Sequence, residues 1–376
     1  MRPSSSFATF TASFGVLHFE AIAKKSEALG WIKEGLLPRS ITRDIDYGVA
    51  LPVSKIPKSQ KIANINKKKF YVWFEATIGY LSASIEYSKK SNKGTYWKNF
   101  FYGKDGETYY FVGQDNLVFH TINWPAQLAA FDAKINLPTN VVVNKFLLLE
   151  GQKMSKSRNW VIDTGHLAAN YPVDAVRFYL SFNMPESKEM NFTWQDFIET
   201  NNSILVGTVG NYVHRVVSLA YKNFGRTLKI TSPSPQIKKE VEKAFKLTAQ
   251  HLEKAEFRAA TQAVVNLAAF GNQYVDKKQL WQLVKDNPKE AKKVSQDLLY
   301  IINSLRILLY PFTPDGGLKL NTLLGYEKKD LESGKDIWTA PSGTISLNFP
   351  STITPIFEKI DEKNIRKEVE KLEQGA

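Results

Sequence analysis

Cysteine is absent from the 376 residues, which excludes disulfides, a thiolate nucleophile and any cysteine zinc site. A chain without thiols suits a reducing compartment, so the cytoplasm is the expected location. No apolar run approaches the roughly 20 residues that a membrane-spanning helix needs, and no membrane partner is expected. Acidic residues are outnumbered: 37 Asp and Glu face 50 Lys and Arg, giving a formal charge of +13 and a pI near 9.4. Such a balance favours a polyanionic partner, because phosphate neutralisation supplies much of the affinity for nucleic acid. Clusters such as Lys67, Lys68 and Lys69, or Lys89, Lys90 and Lys93, read equally well as solvated edges. Internal repeats and extended low-complexity tracts are missing too. The opening stretch 1–15 is Ser/Thr-rich with a single Arg, so little positive charge that a transit peptide is poorly supported, and it is read as a frayed start.

What is present is enough for two packed units. Hydrophobic residues make up 43% of the chain and charged residues 23%, the composition of an ordered globular protein. Residues 20–35 have the spacing of an amphipathic helix, and an irregular polar segment starts at Leu37-Pro38-Arg39. Stretches 70–74, 109–112, 141–143 and 146–149 are rich in β-branched and aromatic residues and alternate with helical or polar segments, which predicts an α/β sheet. After Phe192 the period becomes helical, over 194–224, 236–275 and 289–309. Gly225, Pro233, Pro235, Pro288 and Pro311 stand near the bounds of these segments. This half is expected to be an all-α bundle, with a charged amphipathic tail over 360–376. The domain division expected is 1–200, 201–350 and 351–376.

The sharpest local feature is Lys153-Met154-Ser155-Lys156-Ser157, placed after the apolar run 146–149 and the turn residues Glu150-Gly151-Gln152. Two ammonium groups and two hydroxyls on a turn between strand and helix can wrap a triphosphate and neutralise the charge that grows as pyrophosphate leaves. A solvated Lys/Ser turn is the plain alternative. A given five-letter string arises by chance in a chain this long on the order of once in ten thousand sequences, so its position after a strand decides for chemistry. Upstream lie the runs Ile41-Thr42-Arg43-Asp44, Tyr71-Val72-Trp73-Phe74-Glu75-Ala76-Thr77-Ile78-Gly79-Tyr80 and Val112-Gly113-Gln114-Asp115-Asn116-Leu117-Val118-Phe119-His120, the last followed by Trp124-Pro125. Taken singly, Trp73, Tyr80 and His120 are residues of a kind more often found in a core.

The pentapeptide resembles the KMSKS signature of class I aminoacyl-tRNA synthetases, and the ordered upstream runs are similar to the methionyl-tRNA synthetase family over most of 17–324. The resemblance implies the second half of a Rossmann-like class I catalytic domain followed by a helical-bundle anticodon-binding domain. It implies that Lys153 and Lys156 are catalytic, with Met154, Ser155, Ser157, Gly113 and Asp115 joining them around ATP, Asp115 on the ribose. Methionine would be bound by Trp73, Ala76, Thr77, Tyr80 and His120, with Arg43 near its carboxylate. Asn211 and Arg215, spaced i, i+4 on one helix face, and Trp281 match the family's anticodon-reading positions. The implied partners are methionine, ATP with Mg2+, and methionine tRNA.

Two small departures are Gln114, where the family usually carries Lys, and Leu280, where Pro often precedes the Trp. A larger one is that no HIGH signature occurs before Lys153, and Leu17-His18-Phe19-Glu20 does not replace it. The expectation is a split enzyme whose separate partner chain carries the HIGH half and without which this chain is inactive. The alternatives are a non-catalytic tRNA-binding or scaffold protein, and a truncated inactive remnant.

Overall fold

The computed structural model describes residues 25–333 and 338–375. The frayed start expected over 1–15, the segment 17–20 and the first residues of the helix expected over 20–35 lie outside them. The chain divides into two compact units, Met1–Lys145 and Phe146–Ala376.

In the first unit, α1 (Lys25–Glu34) turns Ala28 inward, with Trp31 and Ile32 against the core. Strand β1 (Thr42–Arg43) pairs antiparallel with β2 (Lys69–Phe70). Residues 70–74, expected as a strand, pair only as far as Phe70. After the extended Tyr71 the chain enters the helical turn α2 (Val72–Glu75). The Tyr71 N–H still donates to the Ile41 carbonyl beside β1, but the Tyr71 carbonyl accepts the Phe74 and Glu75 N–H groups, so a helical turn satisfies backbone that a longer strand would leave open. Helices α3 (Ile78–Lys90) and α4 (Lys98–Phe101) follow.

A parallel pair organises the rest of the unit. Strand β3 (Tyr109–Gly113) aligns with β4 (Asn140–Asn144) from Tyr109↔Asn140 to Gly113↔Asn144. Between them the chain crosses over through a π-helical turn, Phe119–Asn123, that runs straight into α5 (Trp124–Phe131). This is a βαβ unit, as parallel strands require. Its period-two pattern sends Tyr110, Val112, Val141 and Val143 into one core with Leu117, Trp124 and Leu128.

In the second unit, β5 (Leu147–Leu149) lies parallel to β7 (Met190–Phe192) and antiparallel to β6 (Gln152–Lys153). Helices α6 (Thr164–Asn170) and α7 (Val173–Phe182) fill the crossover. The Thr193 hydroxyl caps α8 (Trp194–Glu199), which continues through a π-helical stretch, Thr200–Gly210, into α9 (Asn211–Phe224). Gly225 ends α9 at φ 88°. A ribbon of β8 (Thr227–Ile230) and β9 (Ile345–Asn348) flanks the bundle of α10 (Pro235–Glu253), α11 (Phe257–Lys278), α12 (Leu280–Asp286), α13 (Pro288–Leu309), α14 (Pro314–Leu323) and α15 (Lys329–Glu332). The helical segment expected over 236–275 is broken at Ala255, held at φ 56°, which lets α11 return along α10. From Asp297 to Leu309 every residue of α13 is buried, the mark of a central helix. The tail forms α16 (Lys363–Gly375). No helix among the described residues is long and apolar enough to cross a membrane.

Candidate active site and nucleic-acid interface

In the first unit, the expected methionine residues gather around the start of α3 and the π turn. The aromatic face of Tyr80 meets Tyr110 edge-on, with ring centres 4.9 Å apart, and lies 6.1 Å from Trp124. Trp73 stacks on Phe119 at 5.1 Å and 17°. Trp73 is 44% exposed and Tyr80 42%, so each leaves aromatic surface open. Thr77 is buried and donates to Gln127 Oε1 at 2.8 Å, and Gln127 in turn donates to the Phe74 carbonyl at 2.6 Å. These two bonds tie α2 and α3 to α5. Ala76 is exposed beside them. Gln127 went unread in the sequence because a lone glutamine in an apolar helix carries no local signal.

His120 is buried, and its bonding pattern fixes its tautomer. Nδ1 lies 3.0 Å from the Asn116 carbonyl, which can only accept, so Nδ1 carries the proton. Nε2 then accepts the Tyr80 hydroxyl at 2.8 Å. Burial lowers the imidazole pKa, and the Asn116 bond opposes this only in part. The unfolded chain therefore binds more protons than the folded one once pH drops through the ordinary imidazole range. Acidification from about pH 7 to about pH 5 is expected to lower the melting temperature of the wild-type protein more than that of His120→Gln. Parallel melting curves for the two proteins would count against a buried neutral imidazole.

Arg43 stacks on Tyr71, with its guanidinium carbon 3.9 Å from the ring centre, and donates to the Ser40 and Thr42 carbonyls. Gly113 ends β3 where a Cβ would come within 2.8 Å of Asp115 Oδ1, so glycine lets that carboxylate fold back over the strand end. Gln114 and Asp115 lie in the helical turn that follows.

In the second unit, the pentapeptide begins on β6. Glu150 and Gly151 take φ of 47° and 77°, closing a tight hairpin after β5. The Glu150 carboxylate accepts the Trp194 N–H at 2.9 Å, and Gly151 donates to Asn191 Oδ1 at 2.7 Å. Ser155 and Trp160 exchange both backbone bonds, so Lys156–Arg158 form a small turn closed at its neck. Trp160 is buried and donates to the Leu149 carbonyl at 2.9 Å, while Met154 packs against the same core. The Ser155 and Ser157 hydroxyls are 3.1 Å apart. Lys153 and Lys156 stay exposed, and among the described residues neither forms an ion pair with a carboxylate. Two exposed cations with no carboxylate paired to them among the described residues are available to an external anion.

On the bundle, Arg215 reaches from α9 to sit 5.3 Å over the Trp281 ring, and its guanidinium pairs with Asp276 at 2.5 Å. Asn211 is exposed one turn earlier on the same face. Gln279, at φ 46°, separates α11 from α12, so Leu280 points into the core while Trp281 is left 43% exposed. The leucine that departs from the family pattern is thus an anchor. Asp276 was not legible beforehand, since its pairing with Arg215 spans 61 positions.

Comparison with known proteins agrees with this layout. A family model described as class I tRNA synthetases (M) matches residues 17–217, and one for the anticodon binding domain of methionyl tRNA ligase matches 228–374. The chain is 38% identical over 318 residues to a methionine–tRNA ligase of Thermococcus kodakarensis, covering 81% of this chain and 42% of that relative. It is 36% identical over 372 residues to one of Roseiflexus sp., covering 91% of this chain and 62% of the relative. The chain thus spans between about two fifths and three fifths of the length of these relatives. Methionyl-tRNA synthetase of Mycobacterium tuberculosis, solved with methionyl-adenylate, superposes with a TM-score of 0.74 at 22% identity, over 94% of this chain and 67% of that one, a likeness of fold.

Proposed function

Because this chain belongs to the methionyl-tRNA synthetase family, we propose that it takes part in ATP-dependent activation of methionine and its transfer to methionine tRNA. The observation that carries this reading is the exposed pair Lys153 and Lys156, unpaired with any carboxylate among the described residues, on a segment seated by Met154 and Trp160. Such a turn meets the needs of pyrophosphate departure, where negative charge grows on the leaving phosphates. Ser155 and Ser157 add donors to the same turn, Gly113 leaves room at the strand end for a nucleotide, and Asp115 holds the ribose hydroxyls. Trp73 and Tyr80 wall the methionine side chain with Ala76 and Thr77 at its base, the Tyr80–His120 pair faces its sulfur, and Arg43 faces its carboxylate. Asn211, Arg215 and Trp281 read the anticodon. Mg2+ is proposed to accompany ATP as part of the same reading.

We further propose that activation needs a HIGH-bearing half supplied by a separate chain, and that the functional division runs 1–200, 201–350 and 351–376 within a cytoplasmic protein. The half-exposed Trp73 and Tyr80 support the need for a further half, since a thioether site needs its apolar walls covered. Methionine-dependent exchange of pyrophosphate into ATP is the test. Exchange is expected from this chain mixed with a HIGH-bearing half and not from the chain alone. Strong exchange by the chain alone would defeat the split-enzyme reading. Absence of exchange from the mixture, with tRNA binding intact, would favour a tRNA-binding protein, which the Arg215–Trp281 contact alone could serve.

A further inference from the structure

The tail helix α16 is amphipathic, yet the most buried part of its inner face includes a carboxylate. Glu368 is only 5% exposed and sits between the apolar contacts of Ile365, Val369 and Leu372. A buried charge is costly unless donors surround it. Here they do. His166 Nε2 lies 3.0 Å from both carboxylate oxygens, the Tyr171 hydroxyl donates at 3.0 Å, and Lys371 donates at 3.2 Å. The Asn170 amide donates to His166 Nδ1 at 3.1 Å, which leaves the proton on Nε2, so His166 donates to Glu368 even when neutral. Burial raises the pKa of Glu368, but the bonds from His166, Lys371 and Tyr171 outweigh it and the carboxyl sits below its ordinary value. It is held as an anion.

From Tyr171 the contacts run to the lysine-bearing turn. The Tyr171 ring packs 5.4 Å from Trp194 and 5.5 Å from Phe197. The backbone N–H of Trp194 is the donor to Glu150, whose positive φ closes the hairpin leading into Lys153. Leu149, Trp160 and Met154, which seat the turn, belong to the same packed cluster as Tyr171, Trp194, Leu372 and Val369. Every group in this chain of contacts lies in the second unit.

We propose that Glu368 is a positioning residue for the Lys153–Ser157 turn: it holds Tyr171, and through Tyr171 the Trp194–Phe197 wall from which the hairpin hangs. The tail helix thereby braces a phosphate-binding turn more than 200 positions upstream. The inference rests on the functional reading for its purpose but not for its test. A glutamine at 368 presents an amide nitrogen where the His166 Nε2–H and the Lys371 ammonium can only donate, so Glu368→Gln should loosen the brace while keeping the side chain's size.

Limited trypsin digestion of the full chain, with cleavage sites identified by mass spectrometry, reads the turn directly at Lys153, Lys156 and Arg158. Glu368→Gln is expected to raise the cleavage rate there about tenfold, while cleavage on α10 and α13 stays unchanged. Arg366→Ala, on the exposed face of the same helix, is expected to leave both rates unchanged. If Glu368→Gln fails to fold, Tyr171→Phe, which removes only the hydroxyl from the carboxylate, is expected to give the same local acceleration at reduced size. Equal rates at the turn in wild type and folded variants, or acceleration spread evenly over the unit, would overturn the proposal. Acceleration at the turn with unchanged pyrophosphate exchange in the enzyme assembled with its HIGH half would support the brace and tell against the lysines' part in activation.

Discussion

Replacing Lys153 or Lys156 by alanine, in an enzyme assembled from this chain and a HIGH-bearing half, is expected to lower the rate of methionyl-adenylate formation by about 10²–10³. Both lysines are exposed: Lys153 ends β6, and Lys156 opens the turn whose neck is fixed by the Ser155–Trp160 bonds. Preorganised charge of this kind is worth most where negative charge develops, so the loss should fall on turnover and only weakly on methionine binding. The exposed position makes unfolding a poor explanation for a loss, because neither ammonium bonds to the core. Lys153 stacks on Phe146 at 5.4 Å, an interaction worth under about 1 kcal/mol at the surface. Single-turnover rates at saturating methionine and ATP provide the measurement. Unchanged turnover in both variants would reduce the motif to a solvated turn.

Trp281→Ala is expected to weaken binding of methionine tRNA by about tenfold or more and to leave binding of an anticodon-swapped tRNA nearly unchanged. The indole is 43% exposed, with one face toward the Arg215 guanidinium, so its truncation removes a stacking platform without opening the core that Leu280 anchors. Base stacking on an aromatic ring is worth roughly 1–3 kcal/mol per base, which covers the expected loss. Arg215→Ala should erode discrimination as well, since it removes both the base-edge donor and the cation over the ring. Neutralising Lys67, Lys68 and Lys69 should instead act on every tRNA alike and flatten the salt dependence, if these residues touch RNA. Equilibrium binding of wild-type and variant chains to the two tRNAs at one salt concentration decides the matter. Equal affinity of the wild-type chain for both would leave a generic basic surface as the better account.

Much of this was legible in one dimension, for identifiable reasons. The helical segments over 194–224 and 289–309 were readable because one-sided burial gives α9 and the first turns of α13 a 3.6-residue period, and Gly225 and Pro288 bound them through backbone geometry that needs no distant partner; the burial of α13 on every side from Asp297 onward was not. Strands β3, β4 and β5 were readable from short β-branched and aromatic runs. The pentapeptide announced itself because its chemistry lies in five consecutive residues. The strand expected over 70–74 failed because strand propensity acts only when a partner ladder exists, and β1 ends after two residues.

What the chain order could not carry were interactions between residues far apart along it. That His120 is a neutral acceptor for Tyr80 depends on burial and on the Asn116 carbonyl. That Arg215 is held over Trp281 depends on Asp276 and on one left-handed residue at Gln279. That a glutamate in the tail completes the shell around Tyr171 depends on packing across 197 positions. Local pattern determines which residues can form helix, strand or turn, because those choices are made by nearest neighbours. Desolvation and hydrogen-bond partnership are properties of a filled volume, and only the folded chain decides which side chains share it.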